Sequence, residues 1–304
     1  MIREILTKTA IHRREPNFGS GCDLNIYRGC EHKCKYCFAQ YSHKFLENDT
    51  TDFFNDIFVK TNIAEVLDKE LSKKSWDNTN IINVSAVSDC YQPIEEKYEL
   101  MRGCLEVFIK HKQSIFLLTK SPLILRDFDL IEKLSKVAYV NLAFSITSLN
   151  EEIRQKIEPN VVSSLERLKI LEHFSKTNCK RTIMLVPIIP YLTDRVSDIE
   201  NIFKVAKDIN CNYLICDVLN MRGMVKNNFY NFLQNNFLET YNKIQRLYKG
   251  PYVSESYNIK LNKFINKMRE KYNIYGEKLI DEEYKEYVKN IKSNNDLFSF
   301  IRTF

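Results

Sequence analysis

Cys30-Glu31-His32-Lys33-Cys34-Lys35-Tyr36-Cys37 sets three cysteines at C-x3-C-x2-C spacing, with an aromatic just before the last. Three thiolates so close on one loop can wrap only a small object, a metal ion or a metal–sulfur cluster. A cubane cluster has four irons, so three cysteines leave one iron without a protein ligand and open to another molecule. The alternative is structural zinc. Zinc takes four ligands in closed tetrahedral geometry, and His32 offers itself from inside the loop as the fourth, at the cost of strain. A second C-x2-C pair, which would favour zinc, does not occur in the sequence.

The flanking pattern places this loop in a fold. Leu24 to Tyr27 reads as a first strand entering the cysteine loop through Arg28-Gly29, and Phe38 to Phe45 as the helix after it. Strand-like runs recur at Ile57–Lys60, Ile81–Val87, Ser114–Leu118, Ala138–Ile146, Thr182–Ile189 and Tyr213–Val218. Helical spacing fills the intervals: Ile63, Val66, Leu67 and Leu71; Glu95 to His111; Leu123 to Leu134, interrupted near Arg126-Asp127; Ser163 to Lys176; Asp194 to Ile209. Ser163 with Glu166 fits a capping box. Repeated strand-then-helix units imply parallel strands with right-handed crossovers. The expected fold is α/β, a partial (β/α)6 TIM-type barrel over residues 1–225, with residues 226–304 as a helical C-terminal extension packed on it. In such barrels the site lies at the C-terminal ends of the strands. The loops there, residues 28–37, 86–93, 119–122, 145–149, 187–193 and 217–223, hold most of the unusual residues.

Composition limits the classes of protein. The chain has 304 residues, a formal charge of +6 and 44% hydrophobic content, values that fit a globular protein and permit a polyanionic partner without requiring one. Met1 to Arg14 lacks the apolar core of a signal peptide, and no stretch reaches the roughly 18 apolar residues of a membrane span. A cytoplasmic location is expected, with no membrane partner. There thiols stay reduced, and clustered cysteines point to metal or redox chemistry more than to disulfides. Cys104, Cys179, Cys211 and Cys216 read as small core residues.

The cysteine motif behind a first strand resembles that of the radical S-adenosylmethionine (radical SAM) superfamily. Asn25-Ile26-Tyr27-Arg28-Gly29-Cys30, Ser88-Asp89-Cys90-Tyr91-Gln92-Pro93-Ile94-Glu95, Thr119-Lys120-Ser121, Arg126-Asp127 and Glu158-Pro159 are similar to the spore photoproduct lyase-like group. The resemblance implies a [4Fe–4S] cluster on Cys30, Cys34 and Cys37, and S-adenosylmethionine chelated to the open iron. It implies one-electron cleavage to a 5′-deoxyadenosyl radical that takes hydrogen from a substrate, and a flavodoxin- or ferredoxin-type electron donor. Tyr36 would lie against the adenine, or is simply a packed loop aromatic. Ser88 and Asp89 would meet the amino end of the cofactor, unless they serve as a helix N-cap. Lys120 would meet its carboxylate, unless it is solvated. Ser145 is a weaker candidate for the same pocket, and Arg126 and Arg167 are either cofactor contacts or surface charges.

The sequence also departs from the lyase. Ala86 and Phe38 stand where the lyase carries the cysteine and tyrosine of its hydrogen-return chain, which leaves Cys90 as the candidate catalytic hydrogen donor. The resemblance points to a nucleic-acid substrate such as a DNA lesion, with Arg246, Lys249, Lys260, Lys263, Lys267 and Arg269 as phosphate contacts. The alternatives are a small-molecule or peptide substrate, or a non-catalytic zinc-binding module.

Overall fold

The computed structural model describes residues 1–13, 21–45 and 52–301, with side chains through residue 43 and from 52 to 291 in the latter two spans. Ten strands are described: β1 (Ile2–Ile5), β2 (Ile11–Arg13), β3 (Cys22–Leu24), β4 (Tyr27–Arg28), β5 (Ile57–Lys60), β6 (Ile82–Val84), β7 (Ile115–Thr119), β8 (Val140–Ser145), β9 (Lys180–Ile188) and β10 (Tyr213–Val218). The main sheet has seven strands in the order β10-β9-β8-β7-β6-β3-β2. From β3 to β10 every pairing is parallel, and only the edge strand β2 runs antiparallel. This is the expected partial (β/α)6 barrel. A small second sheet, β1-β5-β4, sits beside the cysteine loop.

The crossovers are α1 (Ile63–Leu71), α2 (Glu95–Tyr98) with α3 (Leu100–His111), α4 (Phe128–Ser135), α5 (Glu151–Ile157) with α6 (Ser164–His173), and α7 (Val196–Asp208). Strand residues alternate between two apolar layers, as the two-residue period demands. Ile115, Leu117, Leu142, Phe144, Ile183 and Leu185 face the helices. Phe116, Ala143, Tyr213 and Ile215 belong to a separate layer closed by Ile280, Tyr284 and Tyr287. Each fully buried Leu, Ile or Phe contributes about 1.5–3 kcal/mol relative to exposure.

The C-terminal extension comprises α8 (Met224–Asn236), α9 (Leu238–Leu247), α10 (Glu255–Tyr272) and α11 (Glu277–Ile301). Its parts go to different places. Helix α8 packs on the 3-10 turns that follow the cysteines, α10 packs on α7, and α11 meets β10. The expected boundary after residue 225 falls within the first turn of α8. No helix among the described residues is long and apolar enough to cross a membrane.

Several elements differ from the sequence expectations. Residues 1–13, to which the sequence pattern assigns no strand, contribute to both sheets: β1 pairs with β5 and β2 with β3. The first barrel strand lies at Cys22–Leu24, ahead of the expected Leu24–Tyr27. It stops because Asn25 turns aside, its side chain accepting from Val87 N–H at 2.7 Å and its carbonyl from Lys60 Nζ at 2.6 Å. The second barrel strand ends at Val84, where Ser85 adopts a left-handed φ of 72°. Phe38–Phe45 forms 3-10 turns in place of an α-helix. Ser163 caps α6 as expected, accepting from Glu166 N–H at 3.1 Å.

Candidate active site at the barrel mouth

The cysteine loop leaves β4 through Gly29, whose φ is +89°. A Cβ there would meet the Asp56 carbonyl at 2.5 Å and Ile57 Cδ1 at 2.9 Å, so no other residue fits without displacing the backbone. The loop is then tied down along its length. Cys30 N–H donates to Phe53 O at 3.0 Å and Lys35 N–H to Ile157 O at 2.9 Å. Gln92 Oε1 accepts from Glu31 N–H at 2.9 Å, and Glu31 Oε2 accepts from Ile94 N–H at 2.8 Å.

The donor set fits an iron–sulfur cluster. Cys30 and Cys34 are buried and Cys37 partly so. Burial pushes the Cys30 thiol up to about 12, while backbone N–H groups of Asp89 and His32 oppose the shift. Burial likewise raises Cys37 against the N–H groups of Ala39 and Gln40. Amides aimed at sulfur stabilise thiolate, and thiolate is the form that ligates iron. Those of Ala39 and Gln40 come from the first residues of the 3-10 turns. Among the described residues no three His, Cys, Asp or Glu side chains are grouped as the ligands of a single ion. A lone zinc needs all its sulfurs within about 2.3 Å of one point. His32 is turned to a different partner in this arrangement, its Nδ1 standing 3.4 Å from Asp89 Oδ2.

The later strands deliver polar groups to the same place. Asp89 follows β6, and its carboxylate accepts from Thr119 Oγ1 at 2.7 Å, Lys120 N–H at 2.8 Å and Tyr91 N–H at 2.9 Å. It is thereby fixed across the ends of β6 and β7. Ser88 donates its hydroxyl to Tyr27 O at 2.7 Å. Neither residue caps α2, whose N-cap is Ile94. Half-buried Lys120 has no hydrogen bond or ion pair to its ammonium among the described residues. Burial opposes its charge, but Cys34, Glu158 and Asp89 outweigh that and hold its pKa above the usual lysine value. An ammonium placed so near the cysteines is poised for an anionic ligand group. Ser145, at the end of β8, is buried, and its carbonyl accepts from Arg167 Nη1.

Tyr36 is anchored by its hydroxyl. It donates to Glu158 Oε1 and lies 3.1 Å from Thr147 Oγ1, which itself donates to Glu158 Oε1 at 2.8 Å. Glu158 Oε2 pairs with Arg167 Nη2 at 2.7 Å, and both side chains are wholly buried. Burial works against the Glu158 carboxylate, but Arg167, Lys120 and the two hydroxyl donors hold its pKa below the usual range. In the sequence Glu158 stands out only within its motif, Thr147 and α5 not at all, and Arg167 is open between a cofactor contact and a surface charge; its side chain is in fact wholly buried. The sequence signal was an arginine at the core-facing position preceding Leu168 and Leu171 in α6.

Two other assignments are corrected. Arg126 is not at the cofactor pocket: it pairs with Glu95 at 2.7 Å and Asp127 at 2.8 Å. Glu95 also accepts from Tyr27 OH, Leu100 N–H and Met101 N–H. The Glu95 and Arg126-Asp127 motifs thus form one buried structural knot behind the site. Cys90, the candidate hydrogen donor, is 1% exposed in the helix-side core, with Glu95 and Cys104 among its electrostatic neighbours. Asp89 and Ser85 are its nearer polar neighbours, and burial raises its thiol pKa well above the ordinary value. Of the tail cations, Lys260, Lys263, Lys267 and Arg269 belong to α10, which packs on α7 outside the barrel. Phe38, by contrast, is 54% exposed and stacks with Tyr41 at 6.3 Å, beside the contact of α8 with the turns.

Residues 24–206 match the model of the radical SAM superfamily, and the chain belongs to that superfamily. An uncharacterized protein of Mycobacterium tuberculosis is 29% identical over 279 residues, 90% of this chain and 82% of its own length. An uncharacterized protein of Methanocaldococcus jannaschii is 29% identical over 218 residues, 72% of this chain and 77% of its own. Among solved structures, spore photoproduct lyase complexed with dinucleoside spore photoproduct superposes with a TM-score of 0.68 at 13% identity, covering 91% of this chain and 81% of the lyase. Streptococcus suis SuiB bound to its precursor peptide SuiA gives 0.54 at 14% identity, covering 86% and 48%. Both likenesses concern the fold. Superfamily membership makes the chain a radical SAM enzyme and removes the reading as a non-catalytic zinc-binding module.

Proposed function

We propose that the chain holds a [4Fe–4S] cluster on Cys30, Cys34 and Cys37, binds S-adenosylmethionine at the open iron, and acts on a nucleic acid. The observation that carries the cofactor reading is the convergence of the three cysteines with the ammonium of Lys120, unpaired among the described residues, at the strand ends. When bound, the cluster supplies the electron that cleaves S-adenosylmethionine to methionine and a 5′-deoxyadenosyl radical, which takes hydrogen from the substrate. Lys120 offers its charge to the cofactor carboxylate. Asp89 orients the Lys120 backbone and adds negative potential for the cofactor ammonium, beside Ser88. Tyr36 flanks the adenine, and Ser145 completes the wall of the pocket. Burial around Cys34 and Tyr36 keeps water from the radical. A flavodoxin- or ferredoxin-type protein in the cytoplasm supplies the electron.

The nucleic-acid reading rests on the mouth. Exposed Phe38 and Tyr41 are flat surfaces on which bases stack. The helix beside them, α8, carries no acidic residue. Arg222 lies over the Tyr252 ring at 5.1 Å and Lys226 over Tyr230 at 5.6 Å, neither paired with a carboxylate among the described residues. Such a surface suits phosphates and bases better than a neutral small molecule. With about three phosphate contacts, single-stranded DNA affinity should fall roughly 20-fold between about 50 and 200 mM salt. Arg222→Ala with Lys226→Ala should flatten that slope. An affinity indifferent to salt in the wild type contradicts a nucleic-acid substrate.

A further inference from the structure

The buried pair Glu158–Arg167 lies outside the cysteine motif yet reaches into the middle of it. We propose that Glu158 and Arg167 are positioning residues that fix the Cys34–Cys37 half of the cluster loop through Tyr36, and thereby set how the bound cluster responds to S-adenosylmethionine. The proposal rests on the radical SAM reading above.

Three observations support it. First, Lys35 and Tyr36 are the only residues between Cys34 and Cys37, so their pose fixes the separation of the two sulfurs. Both are held by the same short segment: Lys35 N–H donates to Ile157 O at 2.9 Å, and Tyr36 OH donates to Glu158 Oε1. Second, the segment is itself immobilised. Arg167 clamps Glu158 Oε2 at 2.7 Å while its other nitrogen donates to Ser145 O, and Arg154 Nη1 donates to Glu158 O at 2.9 Å. The cysteine loop is therefore bolted to the C-terminal end of β8, where the cofactor pocket lies. Third, a fully buried ion pair is weak as a source of stability, because desolvation offsets most of the attraction. Its defined product here is a set of fixed directions: the Tyr36 and Thr147 hydroxyls on Glu158, and the Ser145 carbonyl and Ser164 hydroxyl on Arg167. Partners of metal-ligating segments commonly orient the ligands and tune the metal.

The test uses anaerobically reconstituted full-length protein. Tyr36→Phe removes only the hydroxyl and leaves the ion pair. Glu158→Gln keeps the shape and removes the charge, and Arg167→Lys keeps the charge and loses the fork. Glu166→Gln, on the exposed face of α6, is the control. Iron content, the electron paramagnetic resonance (EPR) spectrum of the reduced cluster with and without S-adenosylmethionine, and the affinity for S-adenosylmethionine are measured. Tyr36→Phe is expected to keep its iron and melting temperature, while its affinity falls about 10- to 100-fold, the scale of such outer partners. Its EPR response to S-adenosylmethionine should change. Tyr36→Phe decides the matter if Glu158→Gln does not accumulate. A Tyr36→Phe protein whose affinity and spectra match the wild type overturns the positioning role. A wild type that takes up no iron contradicts the cofactor reading instead, so the two failures are distinguishable.

Discussion

Arg167 and Glu158 show how a single pair can be judged by what its loss exposes. Each is fully buried, so Arg167→Met leaves a buried carboxylate without its ion-pair partner. That should destabilise the cluster-free protein by about 3–5 kcal/mol in denaturant unfolding, whereas replacing both by apolar residues should cost much less. Lys60 makes the opposite case. Burial, with Arg28 nearby, lowers its pKa from 10.5 to about 8. Between those two values the unfolded chain binds the proton that the folded one has lost, so stability rises with pH across that window. Below about pH 8 the buried charge costs about 3 kcal/mol, by the value of a pKa unit. Lys60→Met should remove this rise, and unfolding free energies measured at pH 7 and pH 10 for both proteins check it. A mutant with the wild-type difference contradicts the assignment.

At the scale of elements, the cysteine loop and the strands around it were legible in the sequence, while the supports behind them were not. Spacing alone singled out Cys30, Cys34 and Cys37, and the family resemblance singled out Asp89 and Lys120 at the strand ends. Local pattern did not show that Ser85 would end β6 with a left-handed backbone, or that Asn25 would break β3. Both follow from contacts with distant segments, which one-dimensional periodicity does not carry. The same holds for Glu158, whose partners Tyr36 and Arg167 lie 122 and 9 residues away in sequence. The 1% exposure of Cys90 was likewise not legible, because sequence gives a residue's loop but not its burial. Gly29 is the element's critical hinge point. Gly29→Ala adds about 1–3 kcal/mol of backbone strain and a Cβ 2.5 Å from Asp56 O. The variant should reconstitute with markedly less iron than the wild type while its circular dichroism stays that of a folded α/β protein. Full iron loading would show that the loop tolerates the shift.

Taken whole, the molecule is a parallel half-barrel whose mouth gathers charge and aromatic surface. The barrel was readable because six parallel strands alternate with amphipathic helices. The destinations of the last helices were not, since the helical spacing of α8, α10 and α11 does not say that they pack on the 3-10 turns, on α7 and on β10. That sorting places Lys260, Lys263, Lys267 and Arg269 on the helix packed against α7, and the proposed phosphate contacts are accordingly Arg222 and Lys226. All of this depends on the three cysteines doing what their superfamily implies. The direct measurement is 5′-deoxyadenosine formed by the anaerobically reconstituted protein with dithionite and S-adenosylmethionine, set against Cys34→Ala treated identically. The wild type should form it and the variant should not. Equal amounts from the two proteins, or none from the wild type, contradict the account.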